Sequence, residues 1–193
     1  TNWMEVAGLP LPRTYMGSTV MDGKIYVVGG MDTMARTNVY TFDGTNWTEW
    51  ESSSAFGRIV RGLCVYDGSL YAFCDYGDVF KKVGTGAWSK IWTGASTLGT
   101  GTYCCVNAAV FNGELYSAWV MVSSPWTVKI VKYDGVSFSV SLDTATGGAT
   151  FPPLYIWNGY LYAAASKNIY RTLDGVTWAS VNDANITAGI TSF

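Results

Sequence analysis

The chain has 193 residues, 49% of them hydrophobic and only 13% charged, with 9 Trp, 13 Tyr, 8 Phe and 22 Gly, a composition that excludes a disordered polymer and lets a core form without metal or disulfide. Twelve Lys plus Arg against 14 Asp plus Glu leave a net charge of -2, with no basic run longer than Lys81-Lys82, which argues against phosphate-driven nucleic-acid binding. The absence of histidine removes the commonest general base, the Ser-His-Asp triad and the usual zinc ligand sets, and no apolar run approaches the ~20 residues of a membrane helix. No cofactor, no metal and no membrane insertion are therefore expected. Cys64, Cys74, Cys104 and Cys105 form no CxxC pair and read as buried free thiols.

The chain opens with Thr1-Asn2-Trp3-Met4-Glu5-Val6, which matches Thr45-Asn46-Trp47-Thr48-Glu49-Trp50 at four of six positions. Next comes Val20-Met21-Asp22-Gly23-Lys24-Ile25-Tyr26, whose Asp-Gly between apolar runs predicts a hairpin, because both turn residues need positive φ to match the twist of the strands. Tyr40 to Trp47, turning at Asp43-Gly44, predicts a second hairpin. The same pair recurs as Val65 to Tyr71 with Phe80 to Trp88, as Val110 to Tyr116 with Val131 to Phe138, and as Ile156 to Tyr162 with Tyr170 to Trp178. Tyr26, Tyr71, Tyr116 and Tyr162 fall at intervals of 45, 45 and 46 residues. Four strands (a to d) every ~45 residues is the length of a β-propeller blade, and no stretch has the periodicity of an amphipathic helix.

The expected fold class is all-β, a β-propeller of four-stranded antiparallel blades at about 16–51, 60–92, 105–142 and 154–181. Residues 1–6 and 186–193 are expected to be partial blade strands, so that the chain is a single propeller domain or a propeller fragment. The blades resemble kelch repeats: the first ends strand b on Gly29-Gly30 and separates Tyr40 from Trp47 by six residues. The other three lack the double glycine, and Thr172-Leu173-Asp174-Gly175-Val176-Thr177-Trp178 is also similar to an Asp-box. The resemblance implies the fold and no particular activity.

In such a fold the a-b and c-d turns share one face, and the variable b-c loops and d-a connections share the other, where binding usually resides. Ligand-binding candidates on that loop face are Arg13, Tyr15, Arg36, Arg58, Tyr76, Tyr103, Trp119 and Trp126. Trp119 and Trp126 mark the third copy as the outlier and suggest a stacking platform for a sugar or a protein hot spot; the alternative has Trp119 filling a gap between blades and Trp126 pinning its loop. Arginine suits carboxylate capture, and Arg61 lies nearby; the alternative is salt bridging to Asp32, Asp75 or Asp78. Asp22, Asp43, Asp67, Asp134 and Asp174 fit tight turns rather than a metal site.

The expected function is a non-enzymatic module engaging a glycan or protein ligand through the loop face, in a larger protein of an extracellular or virion surface similar to viral tail-fibre or adhesin propellers. The alternatives are an intracellular kelch-like adaptor for protein partners, which four thiols suit, and a fragment of a glycan-active enzyme. No nucleic-acid partner is expected, and unpaired blade edges offer a route to self-association.

Overall fold

The computed structural model of the chain describes residues 5–52, 55–123, 126–146 and 153–181. Four antiparallel sheets succeed one another, each with its strands in chain order. The first blade holds β1 (Gly17–Met21), β2 (Lys24–Val28), β3 (Asn38–Phe42) and β4 (Trp47–Ser52), and the second β5 (Val60–Tyr66), β6 (Ser69–Cys74), β7 (Asp78–Val83) and β8 (Ser89–Thr93). The third comprises β9 (Tyr103–Phe111), β10 (Glu114–Met121), β11 (Thr127–Tyr133) and β12 (Phe138–Ala145), and the fourth β13 (Leu154–Trp157), β14 (Tyr160–Ala165), β15 (Asn168–Thr172) and β16 (Ala179–Ser180). Helix among the described residues is limited to α1 (Ala95–Leu98) and a 3-10 turn at Asp75–Gly77. The expected partial strands at 1–6 and 186–193 lie outside the described residues, apart from Glu5 and Val6, which are exposed and not in a strand.

Turn chemistry sets the hairpins. Asp22, Asp67, Asn112 and Asn158 open the four a-b turns with φ of 50°, 46°, 50° and 48°, the left-handed conformation that Asp-Gly and Asn-Gly supply at little cost. The c-d turns work differently: the Asp43, Asp134 and Asp174 carboxylates each accept two backbone N–H bonds of 2.7 to 2.8 Å from residues two and three positions on.

The innermost strands β1, β5, β9 and β13 pack against one another in succession. Their approach is close where β1 meets β5: a Cβ on Gly17 would lie 2.7 Å from the Gly62 carbonyl carbon, so only glycine fits. Three apolar seams join the blades. Tyr26, Val28 and Val39 meet Leu63, Leu70 and Phe80; Tyr71, Phe73 and Val79 meet Leu115, Trp119 and Val131; Tyr116, Ala118 and Ile130 meet Leu154, Leu161 and Ala163. The d-a connections fill the first two seams, with Phe56 against Phe80 and Trp88 and Leu98 in the second cluster. Inside the first seam the buried Lys82 ammonium donates to Glu51 at 2.8 Å and to the Gly86 carbonyl, beneath the rings of Trp50 and Trp88.

All four cysteines are buried and unpaired with one another. Burial pushes the Cys64 thiol up to about 11 and Cys104 up to about 12, with the Asp75 carboxylate adding to the effect at Cys104. These thiols are core side chains rather than nucleophiles.

Candidate functional site

The loop face over the first two seams carries a cluster of arginines and tyrosines built from the ends of β1, β5 and β6. Seven described residues other than glycine have positive φ. Four open the a-b turns, and Ser166 sits in the short b-c turn of the fourth blade. The other two are Tyr15 (φ 54°) and Tyr76 (φ 67°), a conformation that costs a bulky side chain roughly 1–3 kcal/mol and persists only where the surroundings enforce it.

Those surroundings are identifiable. Thr14, just before Tyr15, exchanges two backbone hydrogen bonds with Met31, at 2.8 and 2.9 Å. Around Tyr76, the Asp75 N–H donates to the Ile59 carbonyl at 3.0 Å, and the Gly77 carbonyl accepts from Gly94 at 2.9 Å. Gly77 (φ +88°) packs so tightly on Gly94 that a Cβ there would come within 2.9 Å. The chain is thus pinned around each tyrosine while the ring itself stands in solvent, Tyr15 at 58% and Tyr76 at 53% exposure.

Each ring carries a guanidinium on its face. Arg61 lies 4.5 Å from the Tyr15 centroid and Arg58 4.3 Å from that of Tyr76. Arg61 is locked from behind, donating from Nε to Asp75 Oδ1 at 2.5 Å and from Nη2 to Oδ2 at 3.1 Å. Asp78 serves two cations, Lys90 at 2.8 Å and Arg58 at 3.5 Å. Three cations therefore share two carboxylates, and Arg58 is held most loosely. Between Tyr15, Met16, Arg61, Cys105 and Val106 opens a cleft of about 270 Å³.

The eight sequence-derived candidates separate into three groups. Tyr15, Arg58 and Tyr76 stand together in this cluster. Arg13 and Arg36 are engaged in holding loops: Arg13 stacks on Tyr40 at 4.9 Å and donates to the Gly29 carbonyl at 2.9 Å, and Arg36 is paired with Asp32. The remaining three correct the platform expectation. Trp119 is fully buried in the second seam, its ring against Phe73 and Trp92 and its N–H bonded to Ser117 at 2.8 Å, so it fills a gap between blades and cannot touch a ligand. Tyr103 is buried in the same seam. Trp126 is half-buried, and with Trp119 in the core no pair of tryptophans forms a rim.

Met16, Cys105 and Val106 line the cleft without having been candidates; nothing in the sequence separates them from ordinary strand residues. The expected bridges to Asp32, Asp75 and Asp78 are all present. Among the described residues no group of three or more His, Cys, Asp or Glu could hold a metal ion.

Comparison with known proteins places this geometry. A family model described as Kelch motif matches residues 12–43. An F-box/kelch-repeat protein of Arabidopsis thaliana is 31% identical over 125 residues, 61% of this chain and 41% of that protein. Human Kelch-like protein 28 is 33% identical over 86 residues, 39% of this chain and 15% of the relative; the chain thus spans less than half the length of these curated relatives. The solved structure of YjhT superposes with a TM-score of 0.67 at 13% identity, covering 96% of this chain and 70% of that one. An alpha-L-arabinofuranosidase from Clostridium thermocellum follows at 0.55 and 13%, covering 86% and 71%. At such identities the structural likeness speaks for the fold alone. The first blade, with its paired glycines, holds the matched motif, and the four sheets repeat its antiparallel four-stranded design: the chain has a β-propeller fold whose first repeat is similar to a kelch motif.

Proposed function

We propose that the chain is a non-enzymatic binding module that engages a protein segment through its loop face, with Tyr15, Tyr76, Arg58 and Arg61 as the recognition patch. The observation that carries this reading is the pair of exposed tyrosines in left-handed backbone. Strain retained at the surface, where packing gains nothing from it, accompanies ligand contact. Rings of low conformational entropy beneath guanidinium groups are the side chains that dominate protein interfaces. The kelch-repeat relatives support a protein-interaction role.

The charge arrangement favours a carboxylate on the partner. Arg58 is partly exposed and meets Asp78 only at 3.5 Å, through Nε, and arginine pairs with carboxylates in bidentate fashion. The acidic groups around the patch, Asp32, Asp75 and Asp78, each already hold a cation, which speaks against a free carboxylate pair for glycoside chemistry.

The test is a randomised peptide display library and a glycan array, each screened with the chain and with an Arg58→Gln, Tyr76→Asn variant. Asparagine keeps the left-handed backbone while removing the ring. Enrichment of carboxylate-bearing peptides that bind the variant about tenfold more weakly, ~1.4 kcal/mol, is the expected result. Glycan binding without peptide enrichment, or peptides that bind both proteins equally, would refute it.

A further inference from the structure

Where β1, β5 and β9 converge on the loop face, the cleft of about 270 Å³ lies between Tyr15, Met16, Arg61, Cys105 and Val106. Close packing of the strands sets its walls. A Cβ on Gly17, next to Met16, would lie 2.7 Å from the Gly62 carbonyl carbon, and a Cβ on Gly62, next to Arg61, would lie 3.3 Å from the Cys105 sulfur. The space is smaller than the about 300–1,000 Å³ that encloses a drug-sized ligand, and it suits one side chain rather than a free cofactor.

The lining is mostly apolar and its one cation is already matched. Met16 is exposed and Val106 half-buried. Cys105 donates its S–H to the Asn107 carbonyl of its own strand at 3.7 Å, and burial pushes the thiol well above its ordinary range, so it stays protonated and neutral. Arg61 gives two N–H bonds to Asp75 and lies over the Tyr15 ring, so its charge is met within the protein. Arg58 differs, because it meets Asp78 only at 3.5 Å and shares that carboxylate with Lys90. An apolar side chain therefore enters the cleft without stranding a polar group, while the neighbouring Arg58 accepts a carboxylate. Three residues separate Arg58 from Arg61 in the chain, at most about 10 Å of backbone. An extended partner advances ~3.3 Å per residue, so one short segment reaches both.

We infer that the cleft between Tyr15, Met16 and Val106 anchors one apolar side chain of the bound protein segment, and that the segment carries its carboxylate, at Arg58, within about three positions of that side chain. The inference rests on the recognition patch proposed above and adds a requirement to it. The partner is read by an apolar and an acidic residue together, so an acidic segment without the apolar anchor binds weakly.

A randomised peptide display library tests it when screened against the parent, an Arg58→Gln variant and two cleft variants, Met16→Gln and Val106→Thr. Each cleft variant makes the lining polar at nearly constant shape, and they are used singly, so that one serves if the circular dichroism spectrum of the other departs from the parent's. The parent should enrich peptides with Leu, Ile, Met or Phe within about three positions of Asp or Glu. Arg58→Gln should keep the apolar preference and lose the acidic one, and the cleft variants should do the reverse. For a synthetic peptide of enriched sequence, replacing its apolar residue with alanine should weaken binding to the parent about tenfold and to a cleft variant less than about threefold, the non-additivity expected of groups in contact. Enriched peptides with an acidic residue but no recurring apolar position would overturn this inference and leave the patch standing, as would an alanine replacement that weakens binding to parent and cleft variants equally. Enrichment of no peptide at all would overturn both.

Discussion

At the scale of single residues, the distinction between Tyr76 and Trp119 organises the site. Both are large aromatics near the loop face, but Trp119 is held by two rings and a hydrogen bond in the second seam, while Tyr76 touches solvent from a strained backbone. Trp119→Ala should cost about 3–5 kcal/mol of stability by urea denaturation, the range for emptying a fully packed aromatic site. Tyr76→Asn should cost no stability. The relief of roughly 1–2 kcal/mol of left-handed strain outweighs the ~0.5–1 kcal/mol of an exposed cation–π contact, so the urea midpoint should hold or rise. Arg61→Met behaves oppositely: it leaves the buried Asp75 carboxylate without its bidentate partner and should lower stability by about 3 kcal/mol. The cysteines supply a simpler check. Their thiols should resist a thiol-reactive chromogen in the native protein and react fully once the chain is unfolded in denaturant.

At the scale of elements, the c-d turns respond to pH. The Asp134 and Asp174 carboxylates lie below the ordinary range because backbone N–H groups donate to their charged forms. Each group thereby contributes stability that is complete above its unfolded value of about 3.9 and is lost as the pH falls through the folded one. The raised thiols act at the other end: stability is complete below about 8.5 and is lost as the pH rises towards the folded values, about 11 at Cys64 and about 12 at Cys104. Thermal midpoints measured across pH should fall at both ends, and Asp174→Asn should flatten the acid limb. Much of this level is legible in the sequence. Asp-Gly and Asn-Gly turns, the apolar runs beside them and the ~45-residue repeat specify hairpins and blades locally. Burial of Trp119 is not legible, since a tryptophan towards the end of a strand reads alike whether the next blade or solvent lies over it. The strain at Tyr15 and Tyr76 is hidden for a related reason: no tyrosine prefers positive φ, and the hydrogen bonds that impose it come from Met31, Ile59 and Gly94, distant in sequence.

At the scale of the whole molecule, regular turns gather on one face and irregular loops on the other, and the order of strands within a blade requires this segregation. Arg58, Arg61, Tyr15 and Tyr76 come from three separate segments of the first two repeats and meet only because β1 and β5 are adjacent around the axis. The sequence placed binding on that face, but it distributed the candidates around the rim, whereas the geometry concentrates them over two seams. On the proposed reading the fold supplies the rigidity, and departures from the repeat supply the recognition. Backbone amide shifts of the isotopically labelled chain, followed while a peptide enriched from the display library is titrated in, test this division most directly. The account predicts perturbations confined to residues 13–16, 58–61, 75–78 and 105–106. Perturbations centred instead on the turns at Asp22, Asp67, Asn112 and Asn158 would contradict it.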